Sequence, residues 1–278
     1  FRRDLYRPNK DERGMYYAQA AAHRSSCISR QVGASILDIK GNLLAVGTNE
    51  VPKAFGGAYS DGDAPDDRCY KKGYCSNSVK QSDIVKDIFE RLQNAKQLSS
   101  DVELKHVEST LKKTRVKSLI EFSRAVHAEM DALLTLVRSG TMLGEGATLY
   151  STTYPCHSCA RHIVAAGVSQ VVYLEPYSKS LAIDLHQDSI ADNLPEEESE
   201  SRVRFVPYQG VSPRLYEEVF AKRTDLKNSA TGKFEFIPEN QFKNIERSLW
   251  TKTYLEFEEE IEQFIAEILE EENRDGAA

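Results

Sequence analysis

The sequence has no apolar run approaching the roughly 20 residues that a helix needs to cross a bilayer. Its opening Phe1-Arg2-Arg3-Asp4 is polar and charged, so no secretory signal begins there. Both absences point to a cytoplasmic protein with no membrane partner. Positive charge is also short. Thirty-six Lys and Arg stand against 43 Asp and Glu, a net charge of −7. A broad nucleic-acid surface is driven by many Lys and Arg contacts to phosphate, which this balance does not supply. A local basic pocket for one nucleotide stays compatible with it. Cysteine is sparse and odd in number: Cys27, Cys69, Cys75, Cys156 and Cys159. With a C-x-x-C spacing and no secretory signal, this usage indicates metal ligation in a reducing compartment, not a disulfide framework. The chain has no internal repeat, no G-x-x-x-x-G-K-[ST] phosphate loop and no initiating Met. It is read as starting inside a longer protein or after processing.

What is present fits a soluble globular chain: 278 residues, 40% hydrophobic and 28% charged. Met15, Ala18 and Ala22 fall at helical spacing within 11–24. Val32–Ile39 and Leu43–Thr48, joined by Lys40-Gly41-Asn42, predict a hairpin. A Gly-rich loop follows, then two predicted helices over 83–98 and 101–124, so 53–125 reads as an insertion. A helix from His127 to Arg138 stops at Gly140, and another from Cys156 to Ala166 stops at Gly167. Strands are expected at 147–151, 170–174 and 203–206, and a short helix over 213–222. This order predicts a three-layer α/β/α fold on a mixed five-stranded sheet. The domain is expected over 1–225. An extension over 226–278 carries an acidic amphipathic helix, Tyr254–Asn273, with Phe257, Ile261, Phe264, Ile265 and Ile268 in one stripe. That stripe packs on its own domain or at a subunit interface.

Two short motifs carry the chemistry. His127-Ala128-Glu129 offers an imidazole, and Pro155-Cys156-His157-Ser158-Cys159 offers two thiolates. Cys156 and Cys159 share one face at a helix start, where free N–H groups and the dipole stabilise negative sulfur. His127, Cys156 and Cys159 make three legs of a tetrahedral zinc site, with the fourth position open for water. Glu129 is spare as a ligand and is placed to carry protons. The alternative is a closed zinc finger with an incidental Glu129, completed by His157 or His162.

These motifs resemble those of the cytidine and deoxycytidylate deaminase superfamily, over about 11–210. Arg30-Gln31-Val32-Gly33-Ala34, Gly47-Thr48-Asn49, His127 to Ala132, Leu149 to Cys156, Gly167-Val168 and Val171-Val172-Tyr173 carry the likeness. The deoxycytidylate (dCMP) deaminase branch is the nearest. The resemblance implies zinc-dependent hydrolysis of dCMP and/or dCTP to the deoxyuridine nucleotide and ammonia, with Glu129 as proton carrier. It implies that Asn49 binds the sugar and helps order the active site, if it is not a plain turn residue, that the Ala128 N–H binds the pyrimidine carbonyl, and that Thr153 and Tyr154 line the base or sugar pocket. Lys179 would meet phosphate, if it is not a plain surface lysine.

Some relatives carry a second zinc. Cys27, Cys69 and Cys75, with His23 or His106, would supply it here; free buried thiols are the alternative. The family also suggests a homo-oligomer, hexameric in some relatives, and a regulatory nucleotide or RNA. Two departures stand out. Glu50 replaces a glycine of the usual Gly-Tyr-Asn-Gly. The Tyr177–Ser189 segment resembles larger antiphage deoxycytidylate deaminases that carry an upstream P-loop domain, and there His186 and Asp188 orient neighbours or simply pack. Two competing readings are a polynucleotide (tRNA or single-stranded DNA) deaminase using the basic run Lys112–Lys117, and an inactive zinc module serving regulation or assembly.

Overall fold

The strands alternate between two cores, and this alternation sets the layers. Ala34 and Ile36, Leu149 and Val171 face one apolar cluster; Leu37, Tyr150 and Val172 face the other. A sheet buried on both faces needs cover on both. A computed structural model describes residues 7–192, 201–221 and 227–234. In it, helix α1 (Lys10–Ala22) covers one face through Met15 and Ala18. Helices α5 (Ala128–Ser139) and α6 (His157–Ala166) cover the other through Ala132, Leu136, Ala160 and Ile163. Helix α1 starts at a capping box: Glu12 N donates to Asn9 Oδ1 at 2.8 Å, and Asn9 N donates to Glu12 Oε2 at 2.9 Å.

The sheet holds six strands among the described residues, not five. They are β1 (Gly33–Leu37), β2 (Leu43–Thr48), β3 (Thr148–Thr153), β4 (Gln170–Glu175), β5 (Ile190–Asp192) and β6 (Val203–Pro207), in the order β2-β1-β3-β4-β6-β5. The unexpected member, β5, has three residues, too few for an alternation to stand out in sequence. β1 pairs antiparallel with β2 and β3, while β3, β4, β6 and β5 run parallel. The mixed three-layer fold therefore stands, with one strand more.

The insertion differs more from expectation. It contains α2 (Cys69–Lys72), α3 (Ser76–Asn94) and α4 (Leu104–Leu111), then a 3₁₀ turn, Arg115–Ser118. Helix α3 starts seven residues before the predicted 83, and the helix predicted to reach 124 stops at Leu111. Thr114 explains part of the stop: its hydroxyl accepts from Val116 N at 3.3 Å, capping a new turn in place of continuing the helix. The returning chain is tied down where Asn77 Nδ2 and Gln81 Nε2 donate to Leu119 O at 2.9 and 2.6 Å.

After β6, the predicted helix over 213–222 is a 3₁₀ turn, Pro213–Leu215, followed by α7 (Tyr216–Phe220). A compact unit spans Tyr6–Ala221. The acidic helix expected at Tyr254–Asn273 lies outside the described residues. No described helix is long and apolar enough to cross a membrane.

Candidate active site

Two helices begin at the same place. His127 is the N-cap of α5, Cys156 is the N-cap of α6, and Cys159 sits in the first turn of α6. Neither cap residue uses its side chain to cap its helix. They turn toward each other instead. His127 Nδ1 lies 3.3 Å from Cys156 Sγ and 3.4 Å from Cys159 Sγ.

The local sequence explains this approach. Gly47 of β2 lies beneath the first turn of α5, where an added Cβ would strike Ala128 O and the backbone of Ala132. Only a residue without a side chain admits the helix so closely. Asp131 then locks it: Oδ2 accepts from Thr48 N at 3.1 Å.

Among the described residues, this is the one group of three or more His, Cys, Asp or Glu ligand atoms lying within 4.8 Å of one another. Zinc bonds of about 2.0–2.1 Å to nitrogen and 2.3 Å to sulfur, at tetrahedral angles, put N and S roughly 3.5 Å apart. The observed spacings fit that ion. The charges fit as well. The hydrogen bond with Cys159, and then His127, hold the Cys156 thiol down to about 4. The same Cys156–Cys159 bond and burial push Cys159 well up. The bond to Cys156 raises His127 to about 9. Two adjacent buried thiols resist ionising together, and a divalent cation would remove that conflict. His157 and His162 do not join the group; His162 Nδ1 faces Ser158 O at 2.6 Å. The fourth position has no protein ligand among the described residues, unlike a closed zinc finger.

Glu129 stands beside the cluster, 4% exposed, with Cys159 Sγ donating to its Oε2 at 3.6 Å. Burial raises its pKa, chiefly by desolvation. His127, Glu129 and Cys156 line a cavity of 330 Å³. That volume lies in the roughly 300–1,000 Å³ range of small-molecule sites.

Most expected contacts line this cavity, though not always in the expected manner. Thr153 and Tyr154 do, with the Tyr154 ring edge-on to Tyr173 at 4.8 Å. Ala128 does too, at the first position of α5, where a backbone N–H has no partner within the helix. Asn49 lines it, but its amide braces the chain: Oδ1 accepts from Val32 N and Nδ2 donates to Arg30 O, both at 2.7 Å. Lys179 does not line it; it stands exposed on a turn after β4. The lining cations besides His127 are Arg30 and Arg124. Arg30 lay within a recognised motif, and Arg124 lies three residues before His127, but neither had a spacing rule to flag it. Tyr177 is a further lining residue.

Cys27, Cys69 and Cys75 all line the cavity wall without forming a three-ligand group. Neither His23 nor His106 lines the cavity with them. His186 and Asp188 do not line it either. The residues of the basic run Lys112–Lys117 are exposed, except half-buried Val116, and none faces the cavity.

A sequence model of the cytidine and deoxycytidylate deaminase zinc-binding region matches residues 8–175. The chain belongs to this family. Its relatives include the deoxycytidylate deaminase of Saccharomyces cerevisiae, 28% identical over 62% of this chain and 40% of that protein. The deoxycytidylate deaminase of Enterobacteria phage T2 is 44% identical over 20% of this chain and 29% of that protein. The chain thus spans well under half of these curated relatives. Among solved structures, the dCMP deaminase of cyanophage S-TIM5, in complex with dCMP and dUMP, aligns with 73% of this chain and 99% of its own. The identity there is 21% and the TM-score 0.41. The matched family region is a zinc-binding one, and His127, Cys156 and Cys159 are the group here that could hold such an ion.

Proposed function

We propose that this chain hydrolyses the 4-amino group of a deoxycytidine nucleotide, with dCMP as the favoured substrate. The observation that carries this reading is one piece of geometry. A buried carboxyl, Glu129, stands beside a three-ligand metal cluster with an open side, on the floor of a nucleotide-sized cavity. The names of the curated relatives support the substrate. The deaminase domain is read as 1–225 and the remainder as an extension.

Bound zinc supplies Lewis acidity that makes hydroxide available near neutral pH. The chain's own groups do the rest. Glu129 accepts a proton from the attacking water and returns it to ring N3 as oxygen adds at C4. It then carries the remaining proton of the added hydroxyl to the amino nitrogen; C4=O forms as the C4–N bond breaks and ammonia leaves. Desolvation raises the basicity of this carboxyl, which suits a group that must take a proton and give it back. The N–H of Ala128 holds the pyrimidine carbonyl, and Thr153, Tyr154 and Asn49 bound the sugar. Arg30 and Arg124 face the phosphate end. The zinc of this reading is the one that His127, Cys156 and Cys159 could hold. A preference for dCTP, and an antiphage role, would be specialisations of the same site.

A substrate panel tests the reading: deoxycytidine, dCMP, dCTP, CMP and a short oligonucleotide, followed by ammonia release. Zinc-loaded wild-type protein releases ammonia from dCMP. Glu129→Gln lowers kcat by about 10³-fold or more while retaining zinc. Unchanged turnover in Glu129→Gln would remove Glu129 from the mechanism. Strongly salt-dependent turnover of the oligonucleotide alone would favour a polynucleotide deaminase.

A further inference from the structure

Outside the metal cluster, the cavity wall contains a second buried charge system. Glu50 is 2% exposed and follows Asn49 directly. Its Oε2 accepts from Ser26 N at 2.7 Å and its Oε1 from Val51 N at 2.8 Å. Its own carbonyl accepts from Val126 N at 3.0 Å, one residue before His127. One carboxylate and its backbone therefore join three segments that meet at the cavity. Arg68, from the insertion, lies behind it. Its side chain is 4% exposed, and Nη1 stands 3.9 Å from Glu50 Oε2. The rest of the guanidinium forks onto Asp66 at 2.9 and 2.7 Å, meets Asp61 at 2.7 Å and covers the Tyr70 ring at 4.9 Å.

Stability is a poor explanation for such a pair, because desolvating both charges costs about as much as their attraction returns. Charge at the cavity is a better one. Glu50 and Glu129 are the acidic residues of the lining. A nucleotide brings its own negative charge, so an uncompensated Glu50 would oppose it across a poorly screened wall. We propose that Glu50 and Arg68 are positioning residues for an anionic substrate. Glu50 pins the wall through the amides of Ser26 and Val51, and Arg68 offsets one unit of the negative charge that Glu50, Asp61 and Asp66 place there. The proposal rests on the nucleotide reading above.

Two measurements test it. Arg68→Met is expected to raise KM for dCMP about tenfold, with kcat changed less than about threefold and KM for uncharged deoxycytidine changed less than about twofold. Adding Glu50→Gln to Arg68→Met recovers most of the dCMP KM. Equal rises for dCMP and deoxycytidine, or none, would overturn the charge role. If Arg68→Met does not fold, Glu50→Gln alone tests the same charge from the other side. It lowers the ratio of dCMP KM to deoxycytidine KM, and an unchanged ratio defeats the idea. Hydrogen exchange reads the wall without any substrate: Glu50→Ala accelerates the Ser26 and Val51 amides about tenfold or more. Wild-type exchange there would overturn the bracing role. A wild-type enzyme inert toward dCMP, with the expected exchange, would instead overturn the nucleotide reading and the charge role together and uphold the bracing.

Discussion

On one side of the cavity, His127, Glu129, Cys156 and Cys159 stand at the starts of α5 and α6, packed on the sheet. The lining residues Cys69, Cys75, Ser76 and Arg124 come instead from the insertion, which holds one 19-residue helix, two short ones and loops. The first wall is held by close packing over Gly47 and by the Asp131–Thr48 bond. The second is held by charge: Arg68 on Asp61 and Asp66, Lys53 on Asp63 at 3.0 Å, Arg124 on Asp67 at 3.4 Å. Hydrogen bonds with Arg68 hold Asp66 down to about 2, so this network stays ionised through the neutral range. Packing fixes atoms to the tolerance that metal chemistry needs, whereas charged loops can be exchanged without moving the sheet. In the proposed function the reacting groups all belong to the first wall, and the insertion adds Arg124 to the substrate contacts that the sheet and its helices supply.

The division is broken most severely at Gly47. Gly47→Ala drives a methyl group into the backbone of α5, which cannot shift without moving His127 and Glu129. The expected loss is about 3 kcal/mol or more of stability, larger than usual overpacking because the obstacle is backbone. Zinc content and kcat fall with it. Denaturant unfolding and metal analysis check this; a variant with wild-type stability and full zinc would show that close packing does not set the first wall.

A smaller effect tests the second wall. Arg124→Ala removes a lining cation paired only at the surface, with Asp67. KM for dCMP should rise about tenfold with kcat nearly constant, since the lost interaction is felt equally in ground and transition states. Zinc content stays at the wild-type level. Steady-state kinetics on dCMP and deoxycytidine decide it. A fall in kcat as large as the rise in KM would mean that the insertion takes part in the chemistry.

The same contrast explains what could be read from sequence. The His127–Cys156–Cys159 group was legible because a zinc site demands fixed residue types, and helix starts impose fixed spacings: His127 with Glu129, Cys156 with Cys159. Helices α1, α5 and α6 and five strands were legible from their apolar period. The insertion was not. Its α4 ends at a local Thr114 cap that competes with a helical pattern. Its contribution to the cavity depends on tertiary bonds such as Gln81 to Leu119, which leave no period. Lys179, for which a phosphate contact and a plain surface lysine are both open, stands exposed outside the cavity lining, where Arg30 and Arg124 are the arginines. Asn49 lines the cavity, and its amide closes two backbone bonds, in keeping with the ordering role that the resemblance implies.

The finest distinction between the walls lies in their protons. Without metal near pH 7, His127 (about 9) and Cys159 (raised well above the ordinary thiol) hold protons, while Cys156 (about 4) is ionised. Zinc takes a neutral imidazole and two thiolates, so binding near pH 7 should release about two protons per ion. Released protons mean that zinc affinity rises with pH, by about 100-fold per unit between roughly pH 5 and 8. Below about pH 4 a third proton, from Cys156, joins them and the dependence steepens. Zinc calorimetry in buffers of different ionisation enthalpy measures the count. Cys75→Ser should leave it unchanged, because Cys75 lines the inserted wall and stands outside the ligand group. A lower count in that variant would draw the insertion into metal binding and erase the boundary between the two walls.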